Sequence, residues 1–493
     1  MSIEFQYKNY IDGRWIGAKD SRSYEIRNPA DWRQVLHNYP LSSKDLLAQA
    51  IEGAASAQAS WRRVPTGEKA AIFRRLSRLI LENRDQLART ITDENGKLIQ
   101  ESHAEINSAI LELEYQVGEG ERQMGSAGDC LGQGLRGFTR KEPIGVVSVI
   151  TPWNFPFNVP FRKLIPALFA GNTAVMKPAA QTASVGEAVT HLFIEAGLPA
   201  GVLQFVTGSG SELSDTLVGH TAIRAVTFTG STEVGRIIAQ KAAGTFTRTQ
   251  LEMGGKNPMV VLADADMELA ATDAVIAAFS CAGQWCTATS RLIVTDDVAN
   301  KLVDGILSKI AAIRIGAGTH KESTMGPVCG MNQLKDILAH IETARNQGGR
   351  FITGGDRFTD GELAHGCFIN PTLIDAVTDD MDIAKTEVFG PVLSVMRVKN
   401  YQDALVLAND IPYGLSSSIY TRDLERAMHF VENSEVGMSH VNVHSAYKEP
   451  QFCFGGVKES GFGLPEAGST GIQFFQEEKA VYVRSQTPAR RAL

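Results

Sequence analysis

The amino-acid sequence predicts an α/β protein built on a doubly wound parallel sheet, with a second α/β region following it in the chain. Two observations carry this. From Gly145 onward, short apolar runs that do not alternate with polar residues are each followed by a helical stretch, as strands buried on both faces of a parallel sheet require. The chain has 493 residues, 43% hydrophobic and 21% charged, enough to bury sizeable cores, with roughly three domain-sized units as the prior.

Along the chain, the first clear element is an amphipathic helix over 68–90, where Ile72, Leu76, Leu79, Ile80 and Leu87 share one face of a 3.6-residue period. Segment 126–146 is Gly-rich and poor in helix signal. The βαβ series then runs GVVSVI (145–150) with a helix over 159–170, TAVM (173–176) with 182–196, VLQFV (202–206) with 211–219, and RAVTF (224–228) with 233–243. In such sheets ligands bind where the carboxyl ends of the strands open a crevice, so the loops after these strands are the place to seek chemistry. NPMVVL (257–262) begins the second region, continued by RLIVT (291–295), a helix over about 298–314, SSSIY (416–420) and MSHVNV (438–443). The tail KAVYVR (479–484) reads as a strand; it and segment 126–146 have no core of their own and are candidates to pair in an oligomer.

Charge and cysteine usage narrow the function. Lysine and arginine number 48 against 55 acids, a net charge of −7, which argues against a generally basic nucleic-acid or membrane-surface binder. The opening MSIEFQYKNYIDGRW lacks a basic start followed by an apolar stretch, and no apolar run approaches the roughly 18 residues that span a bilayer, so a cytoplasmic protein is expected. Cys130, Cys281, Cys286, Cys329, Cys367 and Cys453 are dispersed, as free thiols rather than a disulfide scaffold.

Several motifs offer chemistry, each with a plainer reading beside it. GQGLRG (132–137) has dinucleotide-type glycines but lacks the strand before and the helix after that would make them work. FTGSTEVGR (228–236) is better placed: a strand, a tight turn at Gly230, a cap at Ser231 or Thr232 and a helix start that could hold a phosphate, or simply a structural turn. Lys177 follows a strand directly, where a ribose or phosphate would lie; the alternative is an exposed loop lysine. Cys286, in CAGQWCTATSR, is either a nucleophile or a buried small hydrophobe. Glu252, between an apolar residue and a Gly pair, suits a general base or a surface acid, and Asn154 in TPWNFPF could donate to an oxyanion or merely shape a Pro-rich turn. His440 and His444 are four apart in a strand, too far for an easy shared metal, and no metal site is expected.

Taken together and in order, YIDGRW (10–15), TPWNFPF (151–157), MKPAAQT (176–182), FTGSTEVGR (228–236), LEMGGKNP (251–258), GQWCTATSR (283–291), EVFGPV (387–392) and FGGVKESGFG (454–463) resemble the aldehyde dehydrogenase superfamily over nearly the whole chain. The resemblance implies a Rossmann-like cofactor-binding domain (1–125, 147–253 and 441–470), an α/β catalytic domain (254–440) and a small β oligomerisation element (126–146 and 471–493), in a homodimer or homotetramer. It implies Cys286 as nucleophile, Asn154 and the Cys286 amide as oxyanion donors, and Glu252 as base for thioester hydrolysis; retention of Glu252 favours release of a free acid over an acyl-CoA. Glu387 and Phe389 would position the nicotinamide ribose, Lys177 the adenosine ribose, and Trp153, Gly230 and Ser231 the pyrophosphate path.

The cofactor implied is NAD or NADP. Many NAD-preferring relatives carry a glutamate three positions after the lysine; here Ala180 stands there, which removes an anion from the 2′-phosphate site and should admit NADP without excluding NAD. Arg162, eight residues after Asn154, resembles semialdehyde dehydrogenases, and its fork could clamp the distal carboxylate of succinic or 2-oxoglutaric semialdehyde, or pair with an acid on a surface helix. Trp153, Phe157, Trp285 and Phe452 could line the same tunnel and would suit an aromatic, benzaldehyde-type substrate instead. A general aliphatic aldehyde dehydrogenase, a non-catalytic scaffold and a cysteine hydrolase using His440 or His444 are the other readings.

Overall fold

The computed structural model describes residues 3–17, 22–132 and 134–484. Residues 485–493, the end of the expected oligomerisation element, lie outside them.

The apolar runs become the centre of an eight-stranded sheet. Val146–Ile150 pairs in parallel with Thr173–Lys177, and Thr173–Lys177 with Leu203–Phe205; on its other side Val146–Ile150 pairs with Ile223–Thr229, and that strand with Arg248–Glu252. Strand order therefore reverses between Val146–Ile150 and Ile223–Thr229, which opens a crevice at their carboxyl ends. The hairpin Asn9–Ile11 and Arg14–Ile16 closes one edge and Gly461–Phe462 the other, both antiparallel. Val147, Val149, Ala174 and Met176 are fully buried beneath Phe161, Leu164 and Leu168 of the helix Asn158–Phe169, which is why these strands carry no polar alternation.

A second sheet of seven strands is built from Asn257–Val261, Thr289–Thr295, Val392–Val398, Thr372–Asp375, Ser416–Tyr420 and Met438–Val441 in parallel, with Arg350–Thr353 antiparallel at one edge. Gln476–Arg484 pairs antiparallel with Leu135–Pro143, and Ala127–Asp129 completes a three-stranded sheet. No helix among the described residues is long and apolar enough to cross a membrane.

The structure corrects the expected helix over 68–90. Two helices stand there, Thr66–Glu82 and Arg84–Asn95. At the break, Asn83 Nδ2 donates to the Leu79 carbonyl at 2.8 Å, the local competition with helical backbone for which Asn is prone. Behind them runs the helix Ile99–Glu121, which the sequence reading did not single out and which supplies one wall of the site.

Candidate active site

Cys286 follows a short 3-10 turn, Ser280–Gly283, in which Cys281 and Ala282 take left-handed φ of 50° and 54°. Such backbone persists only when its surroundings fix it. Here Glu101 accepts the Cys281 N–H at 2.6 Å, and a Cβ on Gly283 would meet the Gly390 carbonyl at 2.3 Å. Beyond the turn, Asn257 Nδ2 donates to the carbonyls of Cys286 at 2.7 Å and Ala288 at 2.9 Å. The thiol is thus presented on a braced loop.

Asn154 reaches the same place from the loop after Val146–Ile150. Its Nδ2 donates to the Gln284 carbonyl at 3.1 Å, which leaves one N–H of the amide for a ligand, and its own carbonyl accepts from Lys97 Nζ at 2.7 Å. Glu252 arrives at the carboxyl end of Arg248–Glu252; it is buried, and its Oε1 has no partner. Burial pushes this carboxyl up to about 8, aided by Glu466 and opposed by Arg162 and Lys163. The Cys286 thiol is also held well above its ordinary value, by burial and by the facing Glu252. Asn154, Glu252 and Cys286 share a cavity of about 300 Å³ walled by Phe155, Trp285 and Phe454.

On the other side of the loop, the Glu387 carboxylate accepts the Gly255 N–H at 2.9 Å, and a Cβ on Gly254 would strike its Oε2 at 2.2 Å, so Gly254 is what lets the acid in. Burial raises Glu387 to about 7. Trp153 stands edge-on to Phe389 at 5.4 Å, and Glu387, Phe389 and Trp285 border one narrow cleft. Ser231 caps the helix Thr232–Ala243, accepting from Val234 N at 3.4 Å, and Gly230 N donates to the Glu252 carbonyl at 3.1 Å. Lys177 is buried at the carboxyl end of its strand and pulled down to about 8 by that burial. Ala180 opens a 3-10 turn beside a separate cavity bordered by Tyr24 and Glu94.

Three expectations are corrected. Phe157 does not line the cavity: its N–H is tied to Glu105 at 2.8 Å and its ring is fully buried against Phe161, so Phe155 faces the cavity from this loop instead. Phe452, 67% exposed, borders a second, outer cavity of about 360 Å³ and not the one holding Cys286. Arg162 lines the inner cavity, where the carboxylate reading needs it, and is paired with acids, as the plainer reading has it, but it is buried and not on the surface, and its fork is occupied. Its Nε and Nη2 each meet Glu112 at 3.1 Å, Nη2 also donates to Asn158 Oδ1 at 2.9 Å, and Nη1 lies 3.8 Å from Glu466.

The ring nitrogens of His440 each lie 3.0 Å from a carbonyl, Nδ1 from Ser417 and Nε2 from Tyr447, and among the described residues no group of His, Cys, Asp and Glu is arranged to hold a metal. GQGLRG falls at the turn into Leu135–Pro143, with its Gln133 outside the described residues. Sequence reasoning missed Glu101, Glu105, Ser108 and Glu112. They stand at spacings of four, three and four on one stripe of Ile99–Glu121, a pattern that reads as a solvated face and is turned toward the cavity instead. It also missed Lys448, for which no signal existed.

Residues 15–481 match the model of the aldehyde dehydrogenase family. The chain is 37% identical to an alpha-ketoglutaric semialdehyde dehydrogenase of Bacillus subtilis, over 97% of this chain and 98% of that one. It is similar in structure to betaine aldehyde dehydrogenase from Staphylococcus aureus in complex with NAD+, with a TM-score of 0.95 at 31% identity, covering 98% of this chain and 96% of the other. An NADP-dependent enzyme of E. coli gives a TM-score of 0.94 at 34% identity, covering 98% of each chain.

Proposed function

The chain belongs to the aldehyde dehydrogenase family and is an NAD(P)-dependent aldehyde dehydrogenase, and from that premise we propose that it oxidises a carboxylate-bearing semialdehyde, of the succinic or 2-oxoglutaric type, to the free acid. The observation that carries the hydrolytic chemistry is the unpartnered Glu252 Oε1, buried beside the Cys286 thiol and the Asn154 amide in one cavity.

Cys286 Sγ attacks the aldehyde carbon once Glu252 is ionised, and the thiol proton passes to that carboxylate and from it to solvent, which leaves Glu252 ionised again. The oxygen becomes an oxyanion, received by the spare Asn154 N–H and the Cys286 backbone N–H. Bound NAD(P) supplies the acceptor for the aldehyde hydrogen. The thioester left on Cys286 is cleaved by a water that loses its proton to Glu252, and the thiol leaves reprotonated.

The chain suits the cofactor on its own geometry. Lys177 Nζ has a single acceptor, the Pro178 carbonyl at 3.1 Å, which leaves two N–H groups for a ribose or phosphate at the strand end. Ser231 and Gly230 offer a helix N-terminus at the crevice, while Glu387 and Phe389 border the cleft beside the thiol loop, Phe389 standing edge-on to Trp153. Ala180 places no anion against a 2′-phosphate, and we assign both NAD and NADP to the site.

For the substrate, the cations Arg162 and Lys448 on the cavity wall and the semialdehyde-acting relative support a carboxylate. The ring walls Phe155, Trp285 and Phe454 favour a second reading, an aromatic aldehyde. We assign the first sheet with its N-terminal helices to cofactor binding, the second sheet to catalysis, and the three-stranded sheet, whose edge strand exposes Tyr482 and Val483, to self-association as a homodimer or homotetramer.

The test is reduced-cofactor formation with succinic and 2-oxoglutaric semialdehydes, straight-chain aldehydes and benzaldehyde, each with NAD and with NADP, alongside Cys286→Ala. Preference for the semialdehydes, lost by at least about 10³-fold in the variant, is expected. A benzaldehyde preference would replace the carboxylate reading by the aromatic one.

A further inference from the structure

Three cations, Arg162, Lys163 and Lys448, gather around two buried carboxylates, Glu112 and Glu466. Glu252 adjoins them but holds its proton up to about pH 8. The cluster therefore sets three cationic side chains against two carboxylates on the wall of the inner cavity; burial lowers Lys163 and Lys448, and Glu466 and Glu112 respectively draw them back up. Lys163 is fully buried and committed to Glu466 and to Thr227 at 3.0 Å. Arg162 has its fork filled by Glu112 and Asn158 and its plane laid on the Phe454 ring at 4.3 Å, so a substrate carboxylate could take that fork only by displacing Glu112.

Lys448 differs from both. Its side chain is 29% exposed while Arg162 is 5% and Lys163 0% exposed. Its ammonium has three N–H groups and two acceptors, Glu112 Oε1 and Asn158 Oδ1, the latter at 3.2 Å. It borders the inner cavity and the outer one together with Phe454, so it stands where an aldehyde whose carbonyl is at Cys286 would carry its other end. Glu112, shared with Arg162, holds the ammonium in place without neutralising the pair.

We propose that Lys448 receives the distal carboxylate of the substrate and sets the preference for ω-carboxylate over neutral aldehydes, with Arg162 as the fixed charge behind it. The assignment rests on the semialdehyde reading and names the residue that enforces it. Arg162→Ala is a poor probe, since it would strand Glu112 and Glu466 in the interior. Lys448→Met leaves Glu112 paired with Arg162 and keeps the stem's packing.

The experiment compares kcat/KM for succinic, glutaric and 2-oxoglutaric semialdehydes with butanal and pentanal, in wild type, Lys448→Met and Lys448→Arg, with melting temperatures to confirm folding. Lys448→Met should lower the semialdehyde-to-neutral ratio by about 10–100-fold, mainly through KM, and Lys448→Arg should restore most of it. Glutarate, used as a product-like ligand, should raise the melting temperature of wild type more than that of Lys448→Met. A wild type that prefers semialdehydes and keeps that ratio in Lys448→Met overturns this assignment alone. A wild type without the preference overturns the substrate reading, and this assignment with it.

Discussion

In the proposed reaction Glu252 has to be two things, a neutral acid in a resting interior and an ionised base when water attacks the thioester. Burial raises it to about 8, so between the ordinary carboxyl range and pH 8 the folded chain holds a proton that the unfolded chain has released. The native state then binds more protons, and its stability falls as pH rises across that window. Glutamine keeps the shape and cannot ionise. Glu252→Gln should therefore melt higher than wild type at pH 8, by up to a few kcal/mol (~1.4 kcal/mol for each pH unit between the folded and unfolded ionisations), with the gap closing toward pH 5 and turnover lost at both. Melts of the two proteins at pH 5, 6.5 and 8 test this, and a gap that does not depend on pH would refute it. In wild type, kcat should rise with pH through about 8 wherever thioester hydrolysis limits, since only the ionised acid accepts water's proton. Cys286, Glu252 and Asn154 were legible in the sequence because each lies inside a contiguous motif whose neighbours make the chemistry plausible. Lys448 and Glu112 were not, because their meaning is a contact 336 residues apart in the chain.

At the scale of the element, the helix Ile99–Glu121 shows how a buried acidic stripe is made to work. Glu101 accepts from Cys281 N and Leu98 N, Glu105 from Lys97 Nζ and from the N–H groups of Phe157 and Asn158, and Glu112 from Arg162 and Lys448. Glu105 thus caps the helix Asn158–Phe169, which has no side-chain cap of its own, and anchors the lysine that holds the Asn154 carbonyl. Glu105→Ala would leave Lys97 buried without its carboxylate and two N–H groups open, so a loss of about 3–5 kcal/mol and a lower kcat are expected. Glu105→Gln keeps an acceptor for the helix and should fall between the two in both denaturant midpoint and kcat. Variants as stable and active as wild type would show that Asn154 is held by packing alone. The parallel strands were readable for the opposite reason: burial on both faces is written into the local run, as in TAVM, whereas the break at Asn83 depends on one side-chain amide outcompeting a continuous apolar stripe.

The whole molecule depends on how the two large sheets meet, because Glu252 ends a strand of the first and Asn257 begins a strand of the second, with four residues between. Ser460 clasps that crossover. Its carbonyl accepts Met253 N at 2.9 Å, its hydroxyl donates to the Gly254 carbonyl at 2.6 Å, and the same oxygen accepts Gly414 N at 3.0 Å, from the chain entering the second sheet. Since Gly254 and Gly255 also seat the Glu387 carboxylate, one buried hydroxyl ties Glu252, Glu387 and both sheets together. Ser460→Ala removes one oxygen and leaves a buried carbonyl and a buried N–H without it, at a cost of about 1–3 kcal/mol. The expected signature is a lower melting temperature together with a raised KM for NAD(P) and a reduced kcat, because the loosened crossover displaces Glu387 and Glu252 in concert. A variant that loses stability yet keeps both kinetic constants would show that the crossover is held for folding alone, and that each acid is fixed separately by its own sheet.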